Sequence, residues 1–327
     1  MNKILISLSA VILLFSPDLA AQLPLLTEKP GTFEILSRTD YTLPECGFTQ
    51  AELKENLEKI KDVIAVIREN PVLTDIKGYN GRALIHNASC KDVDSYGLPA
   101  RISFEFCSFF LLKNGKETFN TIEPPEWSLY LNKMNPINNG LTFDNFNTKH
   151  GYFTVPLRKK TVKSGIDVYD GECWVIYDPS RPQYWVPVTV EEAFAAVREE
   201  IKNDDDKVAA EYMRQFVEKE YSEIPVADRN KPAYFGGNAS RISSTPGVPG
   251  QDSIFPFIMK VNPEYWNKNL SRADIQFITF RSIQNKEYLR KLKDEYLKAN
   301  SISYNEMRFL ESLNLKDISK LVPLINQ

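Results

Sequence analysis

Apolar residues recur at steps of three and four through Leu53, Leu57, Ile60, Ile64 and Ile67. That spacing gathers one face of a helix for burial. Thr49 and Glu52 precede the run as a capping box, in which a hydroxyl and a carboxylate satisfy the free N–H groups of the first turn. Pro71 predicts its end, because proline removes a backbone donor and clashes with the turn before it. The signature returns at Thr189 and Glu192, ahead of the stripe Val190, Ala193, Phe194, Val197 and Ile201. It appears a third time at Ser303 and Glu306. A further stripe of Val208, Ala209, Tyr212, Phe216 and Val217 follows Asp204-Asp205-Asp206, which supplies an N-cap. Lys286–Leu297, Tyr304–Leu313 and Leu315–Ile325 also read as helices.

Strand patterning fills the interval between the first two boxes. In Arg101–Leu112, Ile102, Phe104 and Phe106 point one way and Arg101, Ser103 and Glu105 the other. Beyond Cys107 the alternation is lost in Phe109-Phe110-Leu111-Leu112, which predicts burial on both faces or a bulge. Asn114-Gly115 predicts a hairpin turn into Glu117–Ile122, and Asn80-Gly81 a turn before a strand at Arg82–Ile85. Trp127–Leu131, Tyr152–Leu157 and Gly165–Val168 are further strands. Asp170–Ile201 reads as the organising segment, in which an aromatic strand turns at Asp178–Pro182 into a second strand at Tyr184–Val186 and on into a capped helix. Adjacent strand residues face opposite ways, so at most one of Tyr184 and Trp185 is expected in a given core. Ile254–Val261 and Ile275–Phe280 are the last strands. The pattern predicts an α+β fold: a largely antiparallel sheet flanked by helices, with a mixed strand–helix C-terminal segment packed on it.

Composition divides the chain. Residues 1–21 have one positive charge, an apolar run from Ile4 to Phe15 and small residues after it, the layout of a signal peptide. The mature protein is therefore expected to be soluble, secreted or periplasmic. No later run approaches the roughly 20 apolar residues of a transmembrane span. Residues 22–48 are proline-interrupted and read as an extended arm, 49–232 as the main domain, 233–253 as a Gly/Pro/Ser-rich linker or lid, and 254–327 as the C-terminal segment. A formal charge of −3 gives no reason to expect nucleic acid as a partner. Oligomeric state is not legible.

Four cysteines, Cys46, Cys90, Cys107 and Cys173, are consistent with one or two disulfides in an exported chain. Cys90 and Cys107 would close the shortest loop and are the expected pair. No C-x-x-C motif and only two histidines leave no metal site to expect, and without G-x-G-x-x-G no dinucleotide cofactor is expected either. Gly171-Glu172-Cys173-Trp174 has the tetrapeptide found around cysteine-protease nucleophiles, but it lies in a strand and both histidines precede it, so Cys173 reads as structural.

Two kinds of chemistry remain. Trp127, Trp185 and Trp266 are the aromatics expected to stand exposed and stack on a glycan or peptide, which makes a binding or surface-associated protein the first expectation. Glu123, Glu126 and Glu172 supply carboxylates for the second, a hydrolase of cell-wall or dietary polymers, which needs one acid held protonated beside one ionised. Whether the protein is an enzyme is left open by the sequence.

Overall fold

The computed structural model describes residues 23–37, 47–87, 96–136, 143–236, 242–247 and 255–327. The predicted leader, Cys46 and Cys90 lie outside the described residues. The helices are α1 (Gln50–Arg68), α2 (Pro71–Thr74), α3 (Val190–Lys202), α4 (Lys207–Glu223), α5 (Lys286–Lys298), α6 (Tyr304–Ser312) and α7 (Leu315–Ser319). The first eight strands are β1 (Phe33–Ser37), β2 (Tyr79–Asn87), β3 (Ala100–Leu111), β4 (Glu117–Phe119), β5 (Glu126–Leu131), β6 (Asn145–Asn147), β7 (Tyr152–Val155) and β8 (Lys159–Lys163). They are followed by β9 (Ile166–Tyr169), β10 (Cys173–Tyr177), β11 (Trp185–Pro187), β12 (Tyr234–Phe235), β13 (Ile242–Ser243), β14 (Phe257–Val261) and β15 (Phe277–Arg281).

Both threonine capping boxes form. The Thr49 hydroxyl accepts from the Glu52 N–H while the Glu52 carboxylate accepts from the Thr49 N–H, and Thr189 and Glu192 repeat the exchange at α3. Asp206 caps α4 by accepting from Val208 and Ala209. Pro71 occupies the first turn of α2, where its missing N–H is not needed.

The fold is α+β with mostly antiparallel sheets. One sheet runs β1-β2-β3-β5-β15-β10-β9-β8, with β4 on the distal half of β3; its only parallel pair among the described residues is β1–β2. β15, from the C-terminal segment, pairs with β5 on one side and β10 on the other. The second sheet runs β13-β12-β14-β7-β6, with β11 also on β14. Alternation along β10 explains the layering: Trp174 and Ile176 enter a core shared with α1, α5, α6 and α7, whereas Cys173 and Val175 enter one shared with β7 and β11 of the second sheet. A third core joins the outer face of the second sheet to α3 and α4. The layers are thus helix, sheet, sheet, helix.

Three local expectations are corrected. β10 and β11 do not form a hairpin, because both edges of β10 are occupied, by β9 and β15, and β11 joins the other sheet through β14. Tyr184 and Trp185 both lie in the inter-sheet core with ring centroids 4.9 Å apart. Tyr184 precedes the first residue of β11, so strand alternation does not separate the two. Asn80-Gly81 is inside β2 and not a turn; Gly78, at φ +88°, turns the chain instead. Gly81 is needed for another reason, since a Cβ there would come within 2.7 Å of the Phe33 ring.

The expected Cys90–Cys107 pair is left without support, since Cys90 lies outside the described residues. Cys107 is a buried free thiol, and burial pushes its pKa up to about 11. It faces Asn80 across the ladder, whereas Asn87, at the other end of β2, faces Ala100.

Candidate functional site

The ladder between β5 and β15 covers only Leu129–Leu131 against Phe280–Ile278. Beyond it, Glu126–Ser128 run on along β3 while the chain leaves β15 at Arg281–Ile283. α6 lies across the opening, and the three segments enclose a cleft of about 350 Å³. Trp127, Met307 and Leu310 give it apolar walls; Glu126, Arg281 and Glu306 are its charged groups. A few polar groups placed on a mainly apolar wall are the usual make-up of a small-ligand site.

Each part is fixed from below. The Trp127 ring packs 5.1 Å from Phe309, 5.4 Å from Phe280 and 5.6 Å from Phe104, and its indole N–H donates to the Arg281 carbonyl at 2.8 Å. Arg281 directs Nε and Nη2 to one oxygen of Glu172, at 3.0 and 2.7 Å. Arg101 ion-pairs with Oε1 of Glu126 and donates from Nε to Ser128 Oγ. α6 is held to β3 by buried Asn305, whose amide donates to Ser108 Oγ at 2.9 Å. Lys286 donates to the Leu310 carbonyl at 2.8 Å and to that of Leu313, so a cation closes the C-terminal end of α6.

Glu306 is the residue that the sequence misassigned. Ser303 makes no side-chain cap, because its backbone is already helical (φ −75°, ψ −1°), so the third capping box does not form. The Glu306 side chain lines the cleft, half-buried. Desolvation first, and the nearby charge of Glu126 second, push its pKa up to about 7. A carboxyl in that state carries a proton near neutrality and can give it up. Nothing in the local sequence distinguishes it from an ordinary N3 glutamate.

The carboxylates named from sequence separate into three roles. Glu126 lines the cleft, Glu172 braces Arg281 from outside it, and Glu123 stands apart in an exposed turn at φ +46°. The expectation of exposed tryptophans is overturned: Trp127, Trp185 and Trp266 retain only 4%, 0% and 3% exposure. Trp185 and Trp266 belong to the inter-sheet core, where large rings fill the space between two β layers. Trp127 borders the cleft, as a wall. A second hollow, about 370 Å³ between α3 and α4, is lined by charges already paired with one another, Arg198 with Glu218 and Arg214 with Glu211. Among the described residues, no group of three or more His, Cys, Asp or Glu is arranged to hold a metal, and no helix is long and apolar enough to cross a membrane. No protein-family model matches the chain, and no curated protein or solved structure is found to be similar to it.

Proposed function

We propose that the protein is an exported binding protein whose Glu126–Glu306 cleft takes one polar unit of a glycan or a short peptide. The observation that supports this is the cleft itself, whose lining combines the polar groups of Arg281, Ser128, Tyr130 and Glu306 with the apolar side chains of Trp127, Met307 and Leu310. Its volume, about 350 Å³, lies at the small end of ligand pockets. A sugar unit offers hydroxyls to the polar groups of such a site. Export rests on the apolar N-terminal run, and fractionation of the producing cell with N-terminal sequencing of the product tests it.

Titration with oligosaccharide and peptide panels, followed by tryptophan fluorescence, tests the binding. One ligand class is expected to give a saturable change, weakened at least about tenfold by Arg281→Ala or Tyr130→Ala, the loss of about 1.4 kcal/mol of contact energy. No response to any class, or a response that both variants leave intact, refutes the assignment.

A further inference from the structure

We propose that the same cleft hydrolyses glycosidic bonds, with Glu306 as the general acid and Glu126 as the base that activates water. The reaction rests on the glycan reading of the cleft and goes beyond it. It stands on the geometry of the opening between β5 and β15. Two carboxyl groups, from different elements, border one cavity of substrate size, and their surroundings differ in kind. Glu126 has a cation, Arg101, on one oxygen, Oε1, and Oε2 is left to accept from water. Glu306 lies half-buried beside Met307 and Leu310 on the apolar side. An acid so placed, next to a like charge, is the one that keeps the proton, and its pKa of about 7 agrees. Arg281 is braced by Glu172 through Nε and Nη2, so Nη1 is left to donate to a substrate hydroxyl.

Acetal cleavage is the chemistry that two such groups fit, because the leaving alkoxide needs a proton and the positive charge that develops on the sugar is stabilised by a carboxylate. Glu306 passes its proton to the bridging oxygen as the bond from that oxygen to the anomeric carbon breaks. The oxygen of a water molecule bonds to the anomeric carbon and its proton goes to Glu126. Proton exchange with solvent returns Glu126 to carboxylate and Glu306 to acid, so one water is consumed for each bond broken.

The test combines calorimetry with product release from the full-length mature chain, using peptidoglycan fragments, chito-oligosaccharides and xylo-oligosaccharides as probes. Wild-type protein is expected to bind one class and release new reducing ends from it, with activity falling as pH rises through about 7 as Glu306 loses its proton. Glu306→Gln is expected to cut that rate by about a hundredfold to ten-thousandfold, yet to leave dinitrophenyl glycosides, whose leaving group needs no proton, within about tenfold. Glu126→Gln is expected to slow both substrates and to move the basic limb of the pH profile downward, because it removes the charge that raises the Glu306 pKa. Binding without cleavage of any probe overturns the reaction and leaves the ligand assignment standing. Absence of binding overturns both. Cleavage that is unchanged in Glu306→Gln, or cleavage of the peptide stems alone, overturns the acid and base roles of Glu306 and Glu126.

Discussion

A residue held in an unfavourable charge state reveals itself in stability, independently of any substrate. In the folded chain the Glu306 carboxyl titrates near 7, against an ordinary value of 4.5. Between those values the folded protein holds a proton that the unfolded chain has released, so stability falls as pH rises through the interval. Above about pH 7 the group is ionised in both states and the whole penalty is present. A displacement from 4.5 to about 7 corresponds to about 3 kcal/mol at 1.36 kcal/mol per pH unit, less whatever water in the cleft screens. Glu306→Gln removes the charge and keeps the shape. Urea unfolding of both proteins at pH 4, 6 and 8 is expected to show equal stability at pH 4. The variant should gain with pH, reaching at most about 3 kcal/mol at pH 8 with unchanged denaturant slope. The added substitution Glu126→Gln is expected to shrink the gain, because Glu126 is the second cause of the shift. Stability curves that run parallel across this range would refute the placement of Glu306 in a desolvated cleft, and with it the functional argument.

Other regions give equally direct outcomes. Asp167 is fully buried and accepts from Tyr184 at 2.8 Å and Thr161 at 2.6 Å beside Lys159; Asp167→Ala is expected to cost about 3 to 5 kcal/mol by orphaning these groups, measured as a shift in the urea midpoint, with Asp167→Asn costing less. Phe309→Ala removes the ring that packs against Trp127, Phe104 and Phe106 and is expected to cost about 3 to 5 kcal/mol, with loss of ligand-induced fluorescence change because α6 no longer holds the cleft wall. Thr49→Ala should lower stability by about 1 kcal/mol through the lost cap. Alkylation followed by peptide mapping should label Cys107 and Cys173 only after denaturation, since both are buried and neither is in a disulfide; labelling of either in the native protein would contradict its burial.

Some of this architecture was legible in single segments. Leu53 through Ile67 and the Thr49–Glu52 box specify α1 because helix stripes and caps are interactions among residues within four positions of one another. The same locality made Arg101–Leu112 recognisable as the long strand β3, and Asn114-Gly115 as the turn into β4. Where the chemistry of a segment depends on distant partners, local pattern misled. Ser303 and Glu306 have the spelling of a capping box, yet Ser303 adopts helical angles and Glu306 lines a cleft built with residues about 25 and 180 positions away. Trp185 and Trp266 read as ligand platforms because sequence cannot say which side of a sheet another sheet will cover.

The sequence by itself determined the α+β class, the capped helices, the strand-rich middle and the carboxylate content, since each follows from short-range periodicity and composition. Tertiary structure decided which strands became neighbours: β10 turned away from β11 to pair with β15, and that strand's early end beside β5 opened the cleft. It also decided which of many glutamates is chemically unusual. A carboxyl departs from its ordinary behaviour only when water is removed from it and another charge is brought near, and both conditions are set by groups remote along the chain.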